Sequence, residues 1–185
     1  MITPIQAAII SASDRAWRGE RKDETGPQIR SWVEALPGEV IAYQVLPDER
    51  EILKHIFCHI ADQFSCDVIL TTGGTGLSAR DQTPDATREA IQKEVPGISE
   101  AIRSAGLMKT PFSMLSRAVS GVRGKTLIIN LPGSPEGVRD ALEVLKPVLI
   151  HAVEILRESV SDCQKVRESR RKQPLDITSH SSQPH

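Results

Sequence analysis

Residues 67–87 read DVILTTGGTGLSARDQTPDAT, and the fold follows from how this stretch divides. Its first six residues form a short, mostly apolar run closed at once by glycines, which predicts a buried strand over 67–72. Gly73, Gly74 and Gly76 let the backbone turn sharply and come close to a ligand, and successive N–H groups in such a turn form an anion-binding nest. Thr75 adds a hydroxyl, and Thr72 closes the strand beside it. A tight strand-to-helix turn accounts for the same glycines without any ligand. The stretch is not a Walker A loop, because no Gly-Lys-Ser/Thr follows, and its glycine spacing is not that of the dinucleotide fingerprint. With Thr83 as cap, a helix is predicted over 84–92.

The strand–turn–helix unit repeats on either side. Further strands are predicted over 5–11 (IQAAIIS), 40–46 and 125–131 (KTLIINL). Helices are predicted over 25–36, with Pro27 in the first turn, and over 96–106, with a short helical piece at 111–118. From 49 to 64, Ile52, Leu53, Ile56, Phe57, Ile60 and Phe64 recur at spacings of three and four, the mark of an amphipathic helix, with Asp48 as its expected N-cap. Ser134 and Pro135 open a last helix to about 157, which Pro147 is expected to break. Residues 13–24 read as a long polar loop, and loops of that length are usually functional or disordered. The alternation predicts a single three-layer α/β domain over 1–158, with a mostly parallel sheet flanked by helices. Beyond Glu158 the run KVRESRRK and the polar end DITSHSSQPH predict a disordered tail over 159–185.

Bulk properties agree. A chain of 185 residues with 39% hydrophobic and 25% charged residues suits one soluble domain. With only 3% aromatics, the core must come from Ile, Leu, Val and Ala. A net charge of -1 gives no global attraction to nucleic acid or to a membrane. No apolar run approaches the ~20 residues of a membrane span, and the N-terminus lacks the basic start of a signal peptide. Three scattered cysteines, Cys58, Cys66 and Cys163, read as free thiols of a reducing compartment, so a cytoplasmic location is expected.

In open parallel sheets, ligands bind at the carboxyl ends of strands. Here those ends carry Ser11–Arg15, Pro47–Asp48, Gly73–Gly76 and Asn130–Pro135, all able to face one crevice. Asp81 follows the glycine turn closely. An ordinary carboxylate is ionised at pH 7 and repels phosphate unless a divalent cation lies between them. Mg2+ is typically held by one or two carboxylates plus substrate phosphates, which makes Asp48 and Asp81 candidate metal ligands. As plain helix caps, each would instead be worth ~1 kcal/mol. Asp14, Arg15, Arg80 and Arg117 are further polar candidates, because arginine grips phosphate through paired hydrogen bonds; an arginine in a polar loop is otherwise simply solvated. His55 and His59, four apart with Asp62 beyond, suit a metal by spacing but lie opposite the apolar stripe of their helix, so solvent exposure is expected. Ser113, Ser116 and Ser120 lack a nucleophile-elbow context.

Taken in order, these motifs resemble the molybdopterin adenylyltransferases, the MogA/MoaB family, over roughly residues 5–157. SASDRAWRGERKDETGP resembles the family's first-strand signature, nearer to the MogA branch, and LPDE matches the segment carrying one essential acid, here Asp48. TTGGTGLSARDQTPDAT carries a second acid, here Asp81, and LSRAVSGVRGKTLIINLPGSP matches the closing pocket segment. The resemblance implies transfer of an adenylyl group from ATP to molybdopterin, with Mg2+ assisting, in a homotrimer that hands its product to the molybdenum insertase. It implies catalytic roles for Asp48 and Asp81. It implies substrate binding by Ser13, Asp14, Arg15, Thr72, Gly73, Gly74, Thr75, Gly76, Ser116, Arg117, Gly133 and Ser134.

Three rival readings remain open at this point. One is a scaffold that holds molybdopterin for the insertase without catalysis, against which the retention of both acids argues. Another is a nucleotide pyrophosphatase of the competence-damage type, which shares the glycine turn but not the SDRA or LPGSP segments. The third, a structural protein, leaves the glycines and acids at several strand ends unexplained.

Overall fold

The computed structural model describes residues 4–157; the predicted tail and Cys163 lie outside them. The elements run β1 (Ile5–Ala12), α1 (Asp14–Trp17), α2 (Thr25–Ala35), β2 (Gly38–Leu46), α3 (Arg50–Gln63), β3 (Val68–Thr72), α4 (Thr83–Ala90), β4 (Lys93–Glu94), α5 (Pro96–Leu107), a 3-10 turn (Pro111–Leu115), β5 (Ser120–Arg123), β6 (Thr126–Leu131), α6 (Pro135–Leu145) and α7 (Leu149–Leu156). One six-stranded sheet has the order β2-β1-β3-β6-β5-β4. Its first four strands are parallel and the last two antiparallel, as the sequence reading of a mostly parallel sheet expects.

The buried strands read as unbroken apolar runs because both faces of the sheet are covered. Alternation along the strand splits each run between two cores. Ile5, Ala7 and Ile9 of β1, Val68 and Leu70 of β3, and Leu127, Ile129 and Leu131 of β6 pack with residues of α2, α5, α6 and α7. Ala8, Ile10 and Ala12, Ile69 and Ile128 pack with Leu53, Phe57 and Ile60 of α3 and with Ala86 and Ala90 of α4. Phe57, fully buried, is the one large aromatic of the second core, and Phe57→Ala at such a site costs about 3–5 kcal/mol.

Several local expectations are corrected. The segment 13–24 is not wholly loop: Ser13 accepts a hydrogen bond from the Ala16 amide and caps the single helical turn of α1. Asp48 does not cap α3, whose N-cap is Glu49 with no side-chain bond. Thr83 is the first residue of α4 rather than its cap, which is Gln82. The piece at 111–118 is a 3-10 turn that stops at Leu115. The antiparallel strands β4 and β5, only two and four residues long, lie outside the elements that the sequence pattern predicts. A hairpin at Gly124, where φ is +57°, joins β5 to β6, and at Gly121 any side chain would run into Ile91 and the Lys93 carbonyl. Pro147 does break the last helix, into α6 and α7. Among the described residues no helix is long and apolar enough to cross a membrane.

Candidate active site

Strand order reverses beside β1, with β2 on one side and β3 on the other. Ligands of doubly wound sheets bind at such a switch point, outside the carboxyl ends of the strands. A cleft of about 310 Å³ lies there, lined by Ser13, Asp14 and Arg15 after β1, by Asp48, by Thr72, Gly73 and Gly74 after β3, and by Asp81 and Gly133. A second cleft, of about 390 Å³, takes Thr75, Gly76, Ser116 and Ser134, together with the apolar Ile102, Phe112, Leu115 and Pro132. The Gly-Gly-Thr-Gly turn therefore stands between a charged cleft and a more apolar one. Each is large enough to hold part of a small-molecule ligand.

The turn needs its glycines. Gly73 and Gly74 have φ of +90° and +60°, a region that side chains disfavour. A Cβ on Gly73 would overlap the Ala12 carbonyl, and one on Gly74 would overlap the Asp48 carboxylate. Thr72 is buried and donates its hydroxyl to the Pro132 carbonyl at 2.7 Å, tying the ends of β3 and β6 together. Buried Asn130 donates to the Thr71 and Thr87 hydroxyls and accepts from the Val119 amide, which fixes β3, β6 and α4 to one another.

Asp48 is 5% exposed. Its Oδ1 accepts from the Gln82 amide at 3.1 Å and the Thr83 hydroxyl at 3.3 Å. It thus sits at the start of α4, not of the helix that follows it in sequence. Burial pushes its carboxyl up to about 6, helped by the nearby charges of Asp81 and Asp14, although the bonds from Gln82 and Thr83 oppose the rise. Asp81 is half-buried, and its Oδ2 accepts from the Ser78 amide at 2.8 Å. Asp14 accepts the Asp48 amide on Oδ1 and a paired bond from Arg80, which holds its carboxyl below the ordinary range. Arg15, Arg21 and Lys22 are exposed along the wall of the same cleft.

Arg117 faces away from both clefts. Its guanidinium donates to the Gly76 carbonyl at 2.8 Å, to the Asp81 carbonyl at 2.5 Å and to the Asp85 carboxylate at 2.9 Å, while its amide donates to the Thr75 carbonyl. Its geometry clamps the glycine turn to the Asp81 loop.

Asp23 and Tyr43 escaped the local reading as a site pair. Asp23 accepts from the amides of Thr25 and Gly26 and, at 2.6 Å, from the Tyr43 hydroxyl. Burial alone would raise its carboxyl, but these bonds hold it below the usual range, while burial and Asp23 together push the Tyr43 hydroxyl up. No local signal joins residues twenty apart; Gly26 was the clue, since its missing side chain makes room for both groups. His55 and His59 stack with ring centroids 6.0 Å apart on the exposed side of α3, as expected, and Asp62 is paired with Arg123. Among the described residues no three His, Cys, Asp or Glu side chains converge on a common metal position.

The chain is a mostly parallel, doubly wound α/β domain with acids and a glycine turn at its switch point, the place where domains of this class bind their ligands. Within that class the chain belongs to the family described as "Probable molybdopterin binding domain", which matches residues 8–151. A curated relative named molybdopterin adenylyltransferase, from Helicobacter pylori, is 38% identical over 154 residues, covering 82% of this chain and 88% of its own. The molybdopterin biosynthesis enzyme MoaB of Thermus thermophilus is similar in structure, with a TM-score of 0.79 and 49% identity over 83% of this chain and 97% of its own. The Mog protein of Mycobacterium ulcerans follows with a TM-score of 0.77 and 43% identity, covering 84% of this chain and 99% of its own.

Proposed function

We propose that this protein transfers the adenylyl group of ATP to the terminal phosphate of molybdopterin, giving adenylylated molybdopterin and pyrophosphate in molybdenum cofactor biosynthesis. The observation that carries the reading is the glycine turn set between a cleft walled by Asp14, Asp48 and Asp81 and a cleft walled by Ser116, Ser134 and Phe112. The charged cleft takes the nucleotide's phosphates, and the more apolar one takes the pterin. Relatives with the same named activity, 36–38% identical over most of the chain, support the assignment.

A pterin phosphate oxygen attacks the α-phosphorus of ATP while the bond from that phosphorus to the β-phosphate oxygen breaks, and pyrophosphate leaves. Such a transfer depends on positioning and charge stabilisation more than on covalent help. The amides of Gly73, Gly74 and Thr75 hold phosphate oxygens, and Ser13 and Arg15 bind the nucleotide side. Ser116, Gly133 and Ser134 orient the pterin, and Arg117 keeps the turn in register.

The acids fit a divalent cation. Asp48 is buried beside two other carboxylates and, among the described residues, forms no ion pair, an arrangement that a cation relieves. Two carboxylates, Asp48 and Asp81, plus substrate phosphates make an ordinary Mg2+ donor set. Mg2+ held there would neutralise charge on the phosphates. The remaining parts of the reading are a homotrimer and delivery of the product to the molybdenum insertase, which rest on the family resemblance, and a cytoplasmic setting, which rests on the scattered cysteines.

The test is pyrophosphate release from ATP by the purified protein with Mg2+, with and without molybdopterin. Release only with pterin is expected. Tight pterin binding without release would replace the transferase with the scaffold reading.

A further inference from the structure

Arg80 bridges the charged cleft in an unusual way. It sits in the exposed turn 77–80 between β3 and α4, with 60% of its side chain in solvent. Its guanidinium spans to α1, where Nε and Nη2 meet the two carboxylate oxygens of Asp14 at 3.0 and 2.8 Å. The partners are 66 positions apart, and both line the cleft. The Arg80 end of this pair is open to water, which with salt competes for the guanidinium, so the pair is weakly held. The same planar, two-pronged donor matches a phosphate as well as a carboxylate. Asp14 does not depend on Arg80 for its position, since its Oδ1 also accepts the Asp48 amide at 3.1 Å.

We propose that Arg80 is a polyphosphate-binding residue held in reserve. Its guanidinium rests on Asp14; a nucleoside triphosphate entering the cleft draws it onto the phosphates, and the turn 77–80 closes over them. The cost of desolvating the arginine is lowered because one anion replaces another at the same donors. The proposal rests on the reading that this cleft takes the nucleotide, and it adds which side chain moves and which carboxylate competes.

A simple pin and a reserved ligand group differ in sign. If the pair only fastens the turn to α1, Arg80→Ala and Asp14→Asn break the same contact and weaken binding alike. If Asp14 competes with phosphate for Arg80, the two substitutions act oppositely. Asn keeps the Oδ1 acceptor for the Asp48 amide, so that the local backbone has no reason to shift.

The experiment is calorimetric titration of the purified protein with inorganic tripolyphosphate in the presence of Mg2+, without pterin, on wild type, Arg80→Ala, Asp14→Asn and the double variant. Arg80→Ala should weaken binding about tenfold or more, and Asp14→Asn should tighten it about three- to tenfold. In the Arg80→Ala background, Asp14→Asn should have little effect, because its benefit runs through the released guanidinium. Equal tightening in both backgrounds would reduce Asp14 to a simple repulsive charge and overturn the proposal, as would weakening by both single variants or no binding to wild type. Pyrophosphate release is scored separately, so a failure of the transferase reading with this cycle intact leaves Arg80's role standing.

Discussion

The Asp48 carboxylate occupies the space that a Cβ on Gly74 would need. A buried acid and a glycine turn, 26 positions apart in sequence, are therefore built as one unit. Gly74→Ala displaces the carboxylate and imposes φ of +60° on a residue with a side chain. A loss of stability of about 1–3 kcal/mol is expected, with adenylyl transfer down on the order of a hundredfold. Urea unfolding and pyrophosphate release measure the two. Near-wild-type turnover would show that the turn and the acid do not act together.

Asp48→Asn should stabilise the fold while abolishing turnover. Asp48 titrates at about 6 in the folded protein, above the ordinary carboxylate value of 3.8, so the folded state holds the proton more tightly than the unfolded chain. The stability this group contributes is fully present below pH 4 and is lost as pH rises through 6. Removing the charge should add on the order of 1–2 kcal/mol at pH 7 to 8 and almost nothing near pH 4. A variant less stable at pH 7, by the ~1 kcal/mol of a lost cap, would favour the capping reading instead. Chemical denaturation at both pH values decides.

For the same reason, kcat/KM of the wild type should climb between pH 5 and 7, as Asp48 ionises around pH 6 and becomes able to hold a cation. Raising Mg2+ should move the midpoint lower, because a bound cation favours the carboxylate. A flat profile over this range would remove Asp48 from the catalytic step.

Asp81→Ala should fold and lose turnover. Among the described residues its side chain accepts only the Ser78 amide, in a half-exposed turn, so the cost in stability should stay within about 1 kcal/mol. Wild-type rates at saturating ATP and Mg2+ would end its assignment as a catalytic acid.

Arg117→Ala should behave as the loss of a clamp. Its donors serve the Gly76 and Asp81 carbonyls and the Asp85 carboxylate, so its removal frees the turn from the Asp81 loop. A destabilisation of about 2–3 kcal/mol is expected, together with a higher KM for both substrates. A rise confined to molybdopterin would instead make it a direct pterin contact.

Much of this molecule is settled locally, residue by residue. The run VILTT ahead of three glycines makes a buried strand and a sharp turn wherever it is placed, because β-rich apolar residues and positive-φ glycines have few alternatives. Ser134 followed by Pro135 starts a helix, and Pro147 ends one, by the same local logic. Asp48 and Asp81 stand close to strand ends in the sequence itself, so the acids of the candidate site are legible locally.

Which groups meet was decided elsewhere. Asp48 looks like the cap of its own helix, yet its carboxylate serves Gln82 and Thr83, 34 and 35 positions on. Arg117 looks like a ligand group but is spent on the backbone of a turn 41 positions earlier. Asp23 found Tyr43, and Asp14 found Arg80. The two short strands exist because β6 offers β5 an edge and β5 offers one to β4, not because such short segments prefer to be extended. Sequence determines what each residue can donate, accept or bury within a few neighbours. Only the order of strands in the sheet brings distant donors to one acceptor, and with it the raised carboxyl of Asp48 and the division of the crevice into two clefts.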